Sequence, residues 1–378
     1  MCCLSHMVVE TFYYKIFKYT LCILYNKMSL PPYEIKNDGI IFNDDFNESI
    51  EPYLKNISKY SKLTFSDRSK FNKSIDNLPV TLKHLTFGLE FNQSVDHLPK
   101  NITHLTFEGR FNKSINHLPQ SITHLTLYHV FNKSVDNLPS KLIHLTLGEG
   151  FNQSVDHLPG NITHLFFPPQ SRFNKPVVHL SQSITHLTFG WDFNQSVDNL
   201  PENLTHLTFG TYFNQNVDFL PKNLIHLTFK YFFNQKVDYL PENLIHLTFG
   251  QEFNQPVDNL PNSIKYLILG LGFNQSVDNL PPNITHLTFI CDFNQPINNL
   301  PNSITHLTFG QEFNQPIDNL PNNITHLTFG CNFQKKIKNI SEKLKTLKIH
   351  QKYKYKNYIV KFGFTKQSED AYWIIYSR

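Results

Sequence analysis

Apolar residues return along this chain with a long, fixed period. A representative stretch runs Phe313-Asn314-Gln315-Pro316-Ile317-Asp318-Asn319-Leu320-Pro321-Asn322-Asn323-Ile324-Thr325-His326-Leu327-Thr328-Phe329-Gly330-Cys331-Asn332, with apolar residues at places 1, 5, 8, 12, 15 and 17 of twenty. This is neither the 3.6-residue period of a helix nor the sustained alternation of a long strand. Alternation occurs only in the second half, where Leu327 and Phe329 flank Thr328, so His-Leu-Thr-Phe predicts a short strand. Asp-Asn-Leu-Pro predicts a turn or extended segment, because the residue before proline avoids the helical region. A helix with its caps and two turns would use up nearly all of the remaining residues, roughly 16, and the proline at place 9 opposes it. The return segment is therefore expected to be extended, polyproline-like or a single helical turn.

The Phe-Asn pair recurs at Phe71, Phe91, Phe111, Phe131, Phe151, Phe173, Phe193, Phe213, Phe233, Phe253, Phe273, Phe293 and Phe313. The step is 20 residues, with one step of 22 between Phe151 and Phe173. A degenerate unit begins at Phe333, where Gln334 replaces Asn, and an outlying first unit begins at Phe46-Asn47. A single unit cannot bury six apolar positions, whereas stacked units turn each position into a continuous buried column. The expected fold is mostly β: a solenoid of about 14 coils, one short parallel strand per coil, about 65 Å long at the usual strand spacing. Crossovers are expected to be right-handed.

The flanks divide the chain further. Residues 1–27 form an N-terminal extension, 28–70 a cap and degenerate first repeat, 71–332 thirteen tandem repeats, 333–350 a degenerate last repeat, and 351–378 a C-terminal cap. Lys335, Lys336, Lys338, Lys343, Lys345 and Lys348 bring charge into the fading repeat. Residues 356–364 and 371–376 predict two strands of an antiparallel hairpin that covers the last coil. The Lys/Tyr mixture of this cap also suits an acidic partner, but edge protection is the simpler account. In the extension, Glu10, Lys15 and Lys18 interrupt the apolar residues, so no membrane-spanning run exists, and no signal-peptide centre or cleavage site is present. Met28 is an alternative start. An amphipathic helix or a weak membrane anchor both remain open for residues 1–27.

The strand half, Ile324-x-x-Leu327-x-Phe329, is similar to the Leu-x-x-Leu-x-Leu strand of leucine-rich repeats. Leu320-Pro321 before it resembles the short class of such repeats in bacterial effectors. The whole unit resembles the FNIP repeat family, named for a Phe-Asn-x-Pro-Ile core. Phe293-Asn294-Gln295-Pro296-Ile297 and Phe313-Asn314-Gln315-Pro316-Ile317 match that core fully, and Phe253-Asn254-Gln255-Pro256-Val257 nearly does. Most other units carry Ser at the Pro place, as at Ser94, Ser154 and Ser276. The resemblance implies a leucine-rich-repeat-like solenoid of the kind found in social amoebae and amoeba-infecting giant viruses, with no family-wide catalytic activity. Some members of the family carry an F-box ahead of the repeats, which implies ubiquitin-ligase adaptors. Residues 28–70 lack its helical leucine pattern.

Strand alternation turns Leu105 and Phe107 inward and His104 and Thr106 outward. The outward face is then a histidine ladder of His84, His104, His124, His144, His164, His186, His206, His226, His246, His286, His306 and His326, interrupted only by Tyr266. Imidazoles suit zinc, copper and nickel, but a flat ladder offers two ligands at a time with no carboxylate or thiolate beside them, so no metal site is assigned. Like charges at this spacing oppose protonation, and acidification to about pH 5 is expected to loosen the array. The Asn at place 2 is expected to form a buried amide ladder and the Phe at place 1 an aromatic spine.

Shared positions build the coil, so a partner is read through the variable ones. Trp191, Tyr212, Tyr231 and Phe232 fall at places 19 or 20 of adjacent coils, and Phe219 and Tyr239 replace the usual Asn or His at place 7. Aromatic clusters of this kind anchor interfaces. The insertion Pro168-Pro169-Gln170-Ser171-Arg172 lies at the same edge, one coil earlier.

Composition narrows the function. Lys+Arg 34 against Asp+Glu 30 gives a net charge of +4, too close to neutral for a dedicated nucleic-acid or membrane-surface binder. Five cysteines exclude a disulfide scaffold and fit a reducing compartment. Cys291 and Cys331 lie two coils apart, beyond disulfide reach. Asn-x-Ser/Thr sequons at place 2, such as Asn72 and Asn92, sit where a glycan would split the stack, so the cytoplasm is expected and secretion is not. If the chain is viral, that cytoplasm is the host cell's. No phosphate-cradling loop, Cys-x-x-Cys or nucleophile elbow is present, and the Asp at place 6 lies on another side of the coil from the His at place 14. The sequence therefore predicts a non-enzymatic, monomeric scaffold that binds a protein, without cofactor. The alternatives are a substrate-recognition adaptor for a ubiquitin ligase, which cullin-linked partners in a pull-down would reveal, and a metal- or pH-responsive rod.

Overall fold

A computed structural model describes residues 31–378. The N-terminal extension, with its alternative start and possible anchor, lies outside them. Strand β1 (Tyr33–Lys36) pairs antiparallel with β2 (Gly39–Phe42), which lies parallel to β3 (Lys62–Phe65). Thirteen further strands follow, one per coil, from β4 (His84–Phe87) to β16 (His326–Thr328), and β17 (Thr346–His350) ends the parallel ladder. Sixteen parallel strands thus stand in one sheet, β2 through β17. Register is kept rung by rung: His206 lies beside His186 and His226, and Leu207 beside Leu187 and Leu227. A slip of one residue would turn the leucines out, which fixes the register.

Each strand is short because its flanks carry strong turn signals. The carbonyl of the proline at place 9 accepts the N–H of place 12, as in Pro79 to Leu82 at 3.2 Å and Pro201 to Leu204 at 3.1 Å. A second turn spans places 4 to 8, where the place-4 Ser94 Oγ donates to Asp96 Oδ2 and accepts the Asp96 N–H. Between the turns the chain is extended, and the return segments of the regular coils contain no helix. Among the described residues the one α-helical turn, Leu54–Ile57, lies in the N-terminal cap.

All six apolar columns are interior. In one coil Phe253, Val257, Leu260, Ile264, Leu267 and Leu269 are buried. The phenylalanines at places 17 and 1 stack face to face, 3.6 Å between ring centres for Phe189 and Phe193, and continue from coil to coil as two interleaved columns. Column spacing also reports the curvature. Neighbouring histidine rings are 4.1–4.4 Å apart, whereas neighbouring place-1 phenylalanines such as Phe193 and Phe213 are 6.1 Å apart. The coils therefore fan open away from the strands, and the histidine face is the concave one.

The C-terminal cap differs from the sequence expectation. Lys356–Phe362 is a 3-10 helix rather than a strand, ended by Gly363 at φ 81°. Tyr353 has taken the place-1 position, stacked 5.6 Å from Phe333, so this segment begins another return arc. The hairpin comes later: β18 (Thr365–Glu369) and β19 (Trp373–Ser377), with β19 antiparallel to β17. Packing loosens just before it. An interior space of about 80 Å³ among Ile317, Leu320, Ile324 and Ile337 lies where Ile340-Ser341 stands in for Leu-Pro.

Candidate functional site

The place-2 asparagines form a hydrogen-bonded ladder. Each backbone N–H donates to the side-chain Oδ1 one coil back, from Asn72 on Asn47 at 2.9 Å to Gln334 on Asn314 at 2.9 Å. Glutamines at place 3 reinforce it, as Gln235 Nε2 does on Asn214 Oδ1 at 3.1 Å. The side chains are half-buried or exposed rather than buried as expected, because the amide lies at the outer rim of the coil.

The histidine ladder is a stack of rings in parallel planes, 4.2 Å apart for His104–His124 and His186–His206. In eight coils the preceding threonine contacts the imidazole, as Thr205 Oγ1 does with His206 Nδ1 at 2.9 Å. The same hydroxyl donates to a carbonyl one coil back, Thr205 Oγ1 to Thr185 O at 3.0 Å. A hydroxyl has one proton, so it accepts from Nδ1–H, and these histidines are the Nδ1-protonated tautomer with a bare Nε2. The lone pairs of a stacked row run side by side rather than converging. Among the described residues no group of three or more His, Cys, Asp or Glu is arranged to hold a metal. Partial burial first, and neighbouring histidines second, hold the His206 imidazole down to about 4. Burial lowers His104, His124, His164, His186 and His226 in the same direction.

The aromatic residues at places 19 and 20 lie on the ridge just past the strand ends. Trp191, Tyr212, Tyr231 and Phe232 are 40–49% exposed. Tyr212 stacks on Phe232 at 5.2 Å, and Tyr231 tilts against Phe232 at 4.5 Å. Trp191 joins through the backbone, its carbonyl accepting the Tyr212 N–H at 2.9 Å. Phe219 and Tyr239, 70% and 71% exposed, stand apart on the place-7 turns and make no ring contact with the other four. The insertion reaches the ridge, with the Pro169 carbonyl accepting the Trp191 N–H at 2.8 Å.

The family model described as FNIP Repeat matches residues 71–107, 91–129, 111–150, 196–232, 233–272, 273–312, 293–332 and 313–352. The chain belongs to the FNIP repeat family. A similar solved structure is CroV588 of a giant virus, described as a novel circular leucine-rich-repeat protein, at 41% identity and a TM-score of 0.78. The match covers 84% of this chain and 51% of CroV588, so this FNIP protein spans about half the length of that relative. YopM from Yersinia enterocolitica shares the fold at 18% identity and a TM-score of 0.52, over 78% of this chain and 74% of YopM. No curated protein matches the sequence. Among the described residues no helix is long and apolar enough to cross a membrane.

Proposed function

We propose that this FNIP-repeat solenoid is a non-enzymatic scaffold that captures a protein partner on the ridge carrying Trp191, Tyr212, Tyr231 and Phe232. The supporting observation is the contact of three half-exposed rings, Tyr212, Phe232 and Tyr231, in a fold whose other large apolar side chains mostly line the interior. Aromatic side chains give large contact area at low entropic cost and dominate interface energetics. Column 20 reads Asp192, Tyr212, Phe232 and Glu252 in successive coils, an apolar pair between two carboxylates. The complementary partner is an apolar segment flanked by Lys or Arg, whose cations meet the carboxylates and the ring faces. Phe219 and Tyr239 form a separate candidate contact. Alanine at Trp191, Tyr212 and Tyr231 together is expected to abolish partner capture from the native cell while leaving the thermal melt in place. Capture unchanged by the triple variant would refute the ridge as the site.

A further inference from the structure

A notch interrupts the outward face where the strand ladder meets the C-terminal hairpin. Column 18 carries Ile290, then Gly310 and Gly330, then His350. A Cβ at Gly330 would stand 2.1 Å from the Gly310 carbonyl oxygen, and one at Gly310 would stand 2.3 Å from that of Ile290. Those two rungs therefore carry no side chain. They leave a cavity of about 630 Å³ between Ile290 on one side and His350, Tyr372 and Trp373 on the other. The hairpin makes the far wall because β19 folds back along β17 and sets Trp373 opposite His350.

The polar lining of this notch joins the Lys348 ammonium and the His350 imidazole to threonine hydroxyls and the Gln311 amide, all of which can donate. Lys348 takes the column of outward threonines, beside Thr328, and its Nζ sits 4.6 Å from the centre of the Trp373 ring. It has no carboxylate within ion-pair distance among the described residues. Asp370, the carboxylate near enough to feel its charge, spends Oδ1 on the N–H groups of Tyr372 and Trp373, each at 2.8 Å. His350 Nδ1 accepts the Lys352 N–H at 3.2 Å, which leaves the ring proton on Nε2. This tautomer is the reverse of the ladder's. An ammonium and an imidazole N–H outside ion-pair distance of any carboxylate among the described residues suit an anion, and the half-exposed Ile290 and the exposed Tyr372 offer it an apolar wall.

We infer that this notch binds a small organic anion, a carboxylate or phosphate on a planar apolar body. The anionic head meets Lys348 and His350, and the body lies against Ile290 and Tyr372. The test titrates the full chain, carrying Trp191→Phe so that Trp373 is the sole fluorophore of its kind, with phenyl phosphate, phenylacetate and 2-phenylethanol. A saturable change in Trp373 emission is expected with one or both anions, and the stronger of the two identifies the head group. The alcohol is expected to bind at least about tenfold more weakly, as is either anion to Lys348→Met. Ile290→Glu, exposed on the opposite wall, is an independent variant expected to lose the same affinity. No saturable change with either anion up to about 10 mM, or equal affinity in the native-melting Lys348→Met or Ile290→Glu proteins, would overturn the assignment.

Discussion

Asn214 offers a sharp test of how the coils are joined. Its Oδ1 accepts the Asn234 backbone N–H at 2.9 Å and Gln235 Nε2 at 3.1 Å, while its own N–H donates to Asn194 Oδ1 at 2.9 Å. Its Nδ2 donates to no atom of the described residues, so the side chain serves the ladder as an acceptor only. Alanine removes the acceptor and leaves a half-buried N–H unpaired, which costs about 1–3 kcal/mol. The Gln235 amide reaches solvent and adds little. Asn214→Ala is thus expected to destabilise by about 1–2 kcal/mol, because partial exposure lets water replace some of the lost bond. Asn214→Asp keeps the shape and both acceptor bonds, in charge-assisted form, and is expected to stay within about 0.5 kcal/mol of the parent at neutral pH. Urea denaturation followed by circular dichroism measures both. Equal losses for Asp and Ala, or no loss for Ala, would refute the acceptor-ladder account.

Two further outcomes follow from the same geometry. Leu207, buried between Leu187 and Leu227, should cost about 2–5 kcal/mol as Leu207→Ala, read from the denaturation midpoint. Burial holds ten ladder histidines, among them His104, His186 and His226, below their ordinary value of 6.5, His206 to about 4, so the unfolded chain binds more protons in that window. Stability is then full above about pH 6.5 and falls as the pH drops toward 4, and a thermal melt identical at pH 7.5 and pH 5 would contradict this.

The columns were legible because each serves a single role in every coil. Phe at places 1 and 17, Leu at 15 and Asn at 2 repeat in step, and a stack converts that step directly into contact. The ends were harder. The alternation of Tyr358, Val360 and Phe362 imitates a strand, but the free edge of β17 is taken by β19, and Tyr353 in the place-1 column starts a return arc instead. The asparagines are not buried as expected, since an amide at the coil rim satisfies a neighbouring N–H without leaving water. The notch was not foreseen because it depends on where the hairpin folds back. Its only sequence signals are Lys348 in a threonine column and His350 in a glycine column. The histidine tautomer was likewise out of reach, since it rests on the threonine hydroxyl meeting a carbonyl of the preceding coil.

The continuous stack is tested most directly by removing one rung. Deleting residues 233–252 joins Phe232 to Phe253 and restores place 20 to place 1, whereas deleting 233–242 puts every later column out of register. Cooperative unfolding, followed by circular dichroism through a denaturant titration, is expected to persist for the twenty-residue deletion and to be lost on the C-terminal side for the ten-residue one. Equal damage from the two deletions would contradict a solenoid built of interchangeable twenty-residue coils around one shared core.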